Sequence, residues 1–285
     1  MTIYLNGDYI PREEAGISPD DRGFLFADGV YEVVFSYEDY LFREASHWRR
    51  LRRSLDSLRI RGCEQVDFGE ICRGLVRRNG LEGTTASVYL QVTRGVAPRL
   101  HGFPPADTKP TIYGFARQMD LPTEAQMHGC RVITVPDERW LRCDVKSIAL
   151  LPNILAKQAA LEAGAYESIL VRDGNITEGS STGFAAVFDN HLFTAPLSNL
   201  ILPSITREVV LELCDRLGVK VTEDPVPEAG VYGAQEAMIF STNIEVVPVV
   251  EINGTKIGAG VRGPVAQRLQ EAFRLLVRQD RALAV

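Results

Sequence analysis

Lysine is scarce in this chain: of 31 basic residues only five are lysines, Lys109, Lys146, Lys157, Lys220 and Lys256, and the first 108 residues hold none. Other scarcities exclude whole classes of function. No stretch approaches 18 consecutive apolar residues, and the opening MTIYLNGDYI lacks a charged run followed by an apolar one, so neither a membrane span nor a secretion signal is expected. The five cysteines, at 63, 72, 130, 143 and 214, form no Cys-x-x-Cys pair. That pattern points to reduced thiols in a cytoplasmic protein, with no disulfide framework and no metal site. Net charge is −6 and no basic cluster interleaves with aromatics, which argues against a nucleic-acid or anionic-membrane partner.

What is present is an ordinary globular composition, 285 residues and 45% hydrophobic, enough to bury a sizeable core in one large or two smaller domains. The hairpin pair Asn6-Gly7, a β-rich strand from Val30 to Tyr37, strands at Thr85 to Thr93 and Thr111 to Ala116, and two helices form an N-terminal group. The first helix is expected to be capped by Ser46 and to bury Trp48, Leu51, Leu55 and Leu58, with Arg50 off that stripe. The second runs from about Phe68 to Asn79, stopped by Gly80. Composition shifts over RQMDLPTE, which predicts domains at 1–116 and 125–285 joined by a linker at 117–124. Beyond it, strands and helices mix without a βαβ repeat, including helices at about Asn153 to Ala163, Ser204 to Leu217 and Pro264 to Gln279. The fold class is α+β, a mixed α/β arrangement.

Four of the five lysines have bland readings in a loop, after the Asn253-Gly254 turn, on an alternating strand or on an alanine-rich helix. Lys146 differs, because Val145, Ile148, Leu150 and Leu151 surround it with apolar residues. Desolvation there would favour the neutral, nucleophilic amine, although a buried lysine can equally be a paired structural charge. Two generic motifs have weak context. Gly258-Ala-Gly260-Val-Arg-Gly263 matches a dinucleotide fingerprint but follows a hairpin. Gly179-Ser-Ser181-Thr-Gly183 matches a serine-hydrolase elbow but precedes a strand, which leaves a hydrolase using Ser181 as a remote alternative.

A lysine amine suits capture of a carbonyl, and pyridoxal 5′-phosphate is the common carbonyl cofactor of amino-acid chemistry; it also needs an anion site and a partner for its ring nitrogen. The helix opening at Ser204 offers N–H groups at Ile205 and Thr206, which Arg50 and the pair Ser241-Thr242 could supplement. Glu178, between a strand and a turn of small residues, could hold the pyridine nitrogen protonated. Each also has an ordinary structural reading, as helix-start or turn residues.

Taken together, DRGFLFADGVYEVV, QVTRGVAPRLHGFP, RWLRCDVKSIALLPNILAKQ, ITEGSST, LPSITREVV and STNIEVVPVVEINGTKIG resemble the fold-type IV (class IV) pyridoxal 5′-phosphate-dependent aminotransferases, most closely their D-amino acid transaminase branch. The blocks span nearly the whole chain. The resemblance implies a small N-terminal α/β domain, a larger C-terminal pseudo-barrel domain, and a homodimer with shared active sites. By the same resemblance Lys146 bonds the cofactor, Glu178 holds its ring nitrogen, and Arg50, Ile205, Thr206 and Thr242 bind its phosphate. Ser180 and Ser181 would line it, Leu202 would back the ring and Arg139 would join the surrounding polar network. Tyr31, Arg99 and His101 would hold the substrate α-carboxylate. A branched-chain L-amino acid transaminase and a 4-amino-4-deoxychorismate lyase are alternatives on the same fold. The chain departs from the family pattern at Asn243-Ile244 and at the glycine-free tip Tyr37-Glu38-Asp39-Tyr40.

Overall fold

A computed structural model describes residues 1–284, which group into two compact units. The first is built chiefly from Met1–Asp120 and Val145–Ala149, the second from Leu121–Asp144 and Leu150–Leu283.

In the first unit, β1 (Thr2–Leu5) and β2 (Asp8–Pro11) form a hairpin turning on Asn6 and Gly7, both at positive φ as that dipeptide tolerates. A short helix that sequence reading did not assign, α1 (Arg22–Phe26), follows, and Asp21 caps it by accepting from the Gly23 N–H at 2.8 Å. Next come β3 (Gly29–Tyr37), β4 (Tyr40–Leu41), α2 (Glu44–Leu58), α3 (Phe68–Arg78), β5 (Thr85–Thr93) and β6 (Thr111–Gln118). The six strands make one antiparallel sheet in the order β2-β1-β6-β5-β3-β4. The turn between β3 and β4 needs no glycine. Glu38 and Asp39 both take positive φ, and the Asp39 carboxylate accepts from the Gly83 N–H at 3.1 Å.

Strand alternation sorts the sheet residues by face. Val30 and Val34 of β3, Val88, Leu90 and Val92 of β5, and Ile112 and Ala116 of β6 pack with Leu51, Leu55 and Leu75 of the helices. Each such burial stabilises by roughly 1.5–3 kcal/mol before chain entropy is counted. On the other face the rings of Tyr31, Tyr89 and Phe115 stack in a row, 5.6 and 5.2 Å apart. Helix α2 departs from expectation: its N-cap is Arg43, and its buried face carries Ser46, His47, Arg50, Leu51, Ser54 and Leu55. Ser46 therefore lies inside the helix, and Arg50 lies on the buried face because Glu32 waits for it across the core.

The second unit begins with α4 (Thr123–His128), which occupies part of the stretch expected to start as linker, and β7 (Cys130–Pro136). It continues with α5 (Leu151–Glu162), β8 (Glu167–Arg172), β9 (Asn175–Gly179), β10 (Gly183–Phe188), β11 (His191–Phe193), α6 (Ile205–Arg216), β12 (Lys220–Thr222) and β13 (Val226–Pro227). Strands β14 (Glu236–Ser241), β15 (Glu245–Ile252) and β16 (Thr255–Lys256) precede the final helix, α7 (Pro264–Ala284). The strand order is β12-β11-β10-β14-β15-β7-β8-β9-β13, with β16 added beside β15.

This order forces curvature. Its two edge strands, β12 and β13, are separated in sequence only by Glu223, Asp224 and Pro225. Such a link reaches at most about 14 Å, whereas nine strands laid flat would put those edges roughly 38 Å apart. The sheet must curl until its edges approach, giving the expected pseudo-barrel, with Ile169, Ile176, Phe184, Ile239 and Val247 in its core.

Close approach in the first sheet is testable at Gly114 of β6, where a Cβ would lie 2.6 Å from a Leu90 methyl and 3.2 Å from one of Leu75. Gly114→Ala is expected to lower stability by about 1–3 kcal/mol through overpacking, measured by urea unfolding; an unchanged midpoint would contradict this packing.

Candidate active site

In the first unit the Lys146 segment is tied to β3 by backbone. The Tyr31 N–H donates to the Lys146 carbonyl at 3.0 Å, the Ile148 N–H to the Gly29 carbonyl at 3.1 Å, and the Ser54 hydroxyl accepts from the Lys146 N–H at 3.2 Å. Gly29 makes this approach feasible, since a Cβ there would meet Val92 O at 2.7 Å and Ile148 Cδ1 at 3.0 Å. The Lys146 amine lies 4.2 Å from the centre of the Tyr31 ring, a cation-π distance. The all-apolar shell expected around it is only partly realised: Val145 is buried, but Leu151 is 66% exposed and the half-buried amine faces an aromatic ring. Lys157, expected to be solvated, instead donates to the Tyr166 carbonyl.

Behind β3, Glu32 has no exposed surface and receives Arg50 through two hydrogen bonds of 2.7 Å, with His47 Nδ1 at 2.9 Å. Burial alone would raise the Glu32 pKa, but the Arg50 charge and hydrogen bonds outweigh it, with help from His47, and hold it down at about 2. His47 is pushed below its ordinary value, first by burial and then by the charges of Arg50 and Lys146, against the opposing pull of Glu32. A neutral imidazole donating from Nδ1 to the Glu32 carboxylate satisfies both groups. Sequence reading missed Glu32 and His47. The available signal was an acid at position 32 in register with the inward-facing Val30 and Val34.

Arg99 and His101 lie on the loop between β5 and β6, and both meet the Phe26 ring of α1: the Arg99 guanidinium is 5.2 Å from its centre and the His101 ring 5.7 Å, edge to face.

The second unit holds Glu178, at the end of β9. Arg139 donates to its Oε1, and the Leu202 N–H spans both oxygens at 3.1 and 3.2 Å. Burial raises the Glu178 pKa, and the Arg139 charge opposes that rise. Arg139 is itself clamped by the Asp137 carboxylate through Nε and Nη2, both at 2.9 Å, while Arg172 bonds the Asp137 and Arg139 carbonyls. Nearby, Ser180 and Ser181 direct their hydroxyls to buried Glu167, at 2.5 and 3.0 Å. Ser181 thus has a carboxylate partner, while His191 bonds the Thr222 hydroxyl at 2.8 Å, so no serine-histidine pair forms. The remote hydrolase reading loses its base.

Helix α6 begins as expected: Ser204 caps it by accepting from the Arg207 N–H at 3.2 Å, leaving the first-turn N–H groups of Ile205 and Thr206 directed along the axis. Ser241 ends β14, and Thr242 stands in the tight turn to β15, where the Ile244 N–H reaches the Ser241 carbonyl at 3.2 Å.

These groups fit pyridoxal 5′-phosphate as chemistry. Glu178 is a buried carboxylate whose Oε2 receives only a shared N–H and retains capacity for a protonated ring nitrogen. The α6 start suits a phosphate, and Lys146 supplies a primary amine.

The chain belongs to the amino-transferase class IV family, whose model matches residues 29–252. That family depends on pyridoxal 5′-phosphate, and this chain is accordingly a pyridoxal 5′-phosphate-dependent aminotransferase. It is 38% identical over 272 residues to a D-alanine aminotransferase of Staphylococcus haemolyticus, covering 95% of this chain and 96% of that one. It is 38% identical over 286 residues to a D-alanine aminotransferase of Bacillus licheniformis, covering all of both. Among solved structures, the branched-chain amino acid aminotransferase of Escherichia coli has a TM-score of 0.84 at 26% identity, covering 95% of this chain and 92% of that one. The branched-chain aminotransferase of the thermophilic archaeon Thermoproteus uzoniensis, solved with norvaline, has a TM-score of 0.84 at 25% identity, covering 96% and 93%.

Glu32→Gln should cost about 3–5 kcal/mol at neutral pH, because it uncouples a buried ion pair. The native carboxyl is depressed from 4.5 to about 2, so its contribution is complete above pH 4.5 and fades as pH falls toward 2. Denaturant melts should show the two proteins converging across that window; a pH-independent gap would refute the assignment.

Proposed function

We propose that this enzyme transfers amino groups between D-amino acids, of the D-alanine or D-glutamate type, and 2-oxo acids such as 2-oxoglutarate or pyruvate. The observation that carries the reading is the meeting of Arg99 and His101 on one aromatic ring, Phe26, which gathers a guanidinium and an imidazole two residues apart into a single carboxylate-reading group. The 38% identity to D-alanine aminotransferases supports the same substrate class.

The bound cofactor supplies a carbonyl that captures the substrate amine and a ring that accepts the electron pair left on Cα. Lys146 Nζ is the base that removes the Cα proton and the acid that returns it, and the Tyr31 ring lies 4.2 Å from it, against one side of the amine. Glu178 keeps the ring nitrogen protonated, with Arg139 and the Leu202 N–H fixing the carboxylate. In the first unit, Arg50 serves the phosphate while Glu32 sets its guanidinium plane. In the second unit, Ile205, Thr206, Ser241 and Thr242 serve the phosphate, and Ser180 and Ser181 take their positions from Glu167. Tyr31, Arg99 and His101 orient the α-carboxylate, which selects the face of Cα presented to Lys146.

We also read the chain as a cytoplasmic homodimer with shared sites. The Arg99 loop presents Leu100 and Phe103 at 68% and 52% exposure, and all five cysteines are free. The family's small and large domains correspond to 1–116 and 125–285 around a linker at 117–124, a division supported by the sequence border of the two units between Asp120 and Leu121.

The structural likeness to branched-chain enzymes favours a second reading, transamination of branched-chain L-amino acids. Assaying D- and L-alanine, D-glutamate and L-leucine with 2-oxoglutarate, beside aminodeoxychorismate cleavage, separates the candidates. Turnover with D-donors at least a hundredfold above L-donors is expected, since a misplaced reacting group costs on the order of 100-fold; preference for L-leucine, or aminodeoxychorismate cleavage, would overturn the reading.

A further inference from the structure

The loop that bears Arg99 and His101 is exposed, yet it is fastened from beneath by charged groups that are not. Arg22, 4% exposed, donates from Nη1 to the Leu100 carbonyl at 2.7 Å and reaches the Gly102 carbonyl at 3.4 Å, so it holds the carbonyls of the two residues that flank His101. Its Nε donates to Asp28 at 2.8 Å. Asp28 also receives Arg94, 8% exposed, at 2.7 and 2.9 Å, and Arg94 lies over the ring of Phe103 at 3.9 Å. Burial alone would raise the Asp28 pKa, but the hydrogen bonds and charges of Arg94 and Arg22 hold it below the usual carboxylate range, so the bracket stays ionised at neutral pH.

Helix α1 couples this bracket to the loop side chains. Arg22 and Phe26 stand four residues apart, on one helix face, and the Arg22 guanidinium lies 4.9 Å from the Phe26 ring centre. The same ring takes Arg99 and His101. The helix itself cannot slide: buried Asp21 caps it and accepts from the Thr93 and Thr111 hydroxyls at 3.0 and 2.6 Å, and a Cβ at Gly23 would lie 2.2 Å from a Thr93 methyl. Backbone and side chains of the carboxylate pair are thus positioned by one buried arginine and one ring.

We propose that Arg22 and Phe26 are positioning residues for the substrate carboxylate: Arg22 fixes the loop backbone on either side of His101, and Phe26 spaces the Arg99 and His101 side chains before substrate arrives. An exposed arginine samples many rotamers, and losing that freedom on binding weakens affinity; a ring that confines it beforehand removes the loss. These residues govern KM for carboxylate substrates and leave proton transfer by Lys146 untouched. The inference rests on reading Arg99 and His101 as the carboxylate pair.

The test compares holoenzymes of wild type, Arg99→Ala, Arg22→Lys, Phe26→Leu and Phe26→Tyr with D-alanine and 2-oxoglutarate. Arg22→Lys, which can hold one carbonyl but not the carbonyls and Asp28 together, and Phe26→Leu should each raise KM for both substrates on the order of tenfold, with kcat within about twofold of wild type. Phe26→Tyr, which keeps the ring, should restore KM. The visible spectrum of the bound cofactor should be the same in all five proteins. Phe26 is only partly buried, so its variants report even if Arg22→Lys fails to fold. If Arg99→Ala leaves KM unchanged, the carboxylate reading itself fails. If Arg99→Ala raises KM while Phe26→Leu does not, or Phe26→Leu lowers kcat at constant KM, the positioning inference is overturned and the carboxylate reading stands.

Discussion

A carboxylate with no exposed surface, Glu32, is the constraint on which the first unit depends. Its two oxygens receive Arg50 edge-on and His47 besides, and so bind the middle of α2 to the middle of β3 through charge as well as packing. Removing either partner would strand an ion in a core, which makes the arrangement all-or-none. Strand alternation then extends its influence: Glu32 points toward the helices, Tyr31 to the opposite face, and the Tyr31 N–H carries the Lys146 carbonyl. The backbone at Lys146 is referred to a rigid strand by hydrogen bonds rather than left to a loop.

The second unit uses the same device with different members. Asp137 clamps Arg139, and Arg139 with the Leu202 N–H clamps Glu178. Glu167 gathers Ser180 and Ser181 in turn. In each case a buried acid orients a neighbouring polar group. The antiparallel β8-β9 hairpin makes this possible by placing the start of β8 beside the end of β9, as the register of Ile169 with Gly179 shows.

Much of the fold was legible because local rules were obeyed. Asn6-Gly7 turns where positive φ is tolerated, Ser204 caps α6, and the alternation over Thr85 to Thr93 gives a strand with those bounds. Short or polar elements escaped: α1 has five residues including a glycine, and α4 hides in a stretch whose composition looks like linker. Arg50 and Ser46 were misplaced on α2 because hydrophobic periodicity cannot see a helix face buried by ion pairing. The same limit explains the site. Chemistry singled out Lys146 and Glu178, while their surroundings depend on pairings such as Arg50 with Glu32, 18 residues apart, and Arg139 with Glu178, 39 apart. No window of sequence contains both members in a pattern that announces the contact.

The account stands or falls on Lys146 as the residue that carries the cofactor. Reducing the holoenzyme with borohydride, digesting it and locating the pyridoxyl group by peptide mass spectrometry tests this directly. The account predicts a single modified peptide with the group on Lys146; modification of Lys157 or another lysine, with Lys146 unmodified, would contradict it.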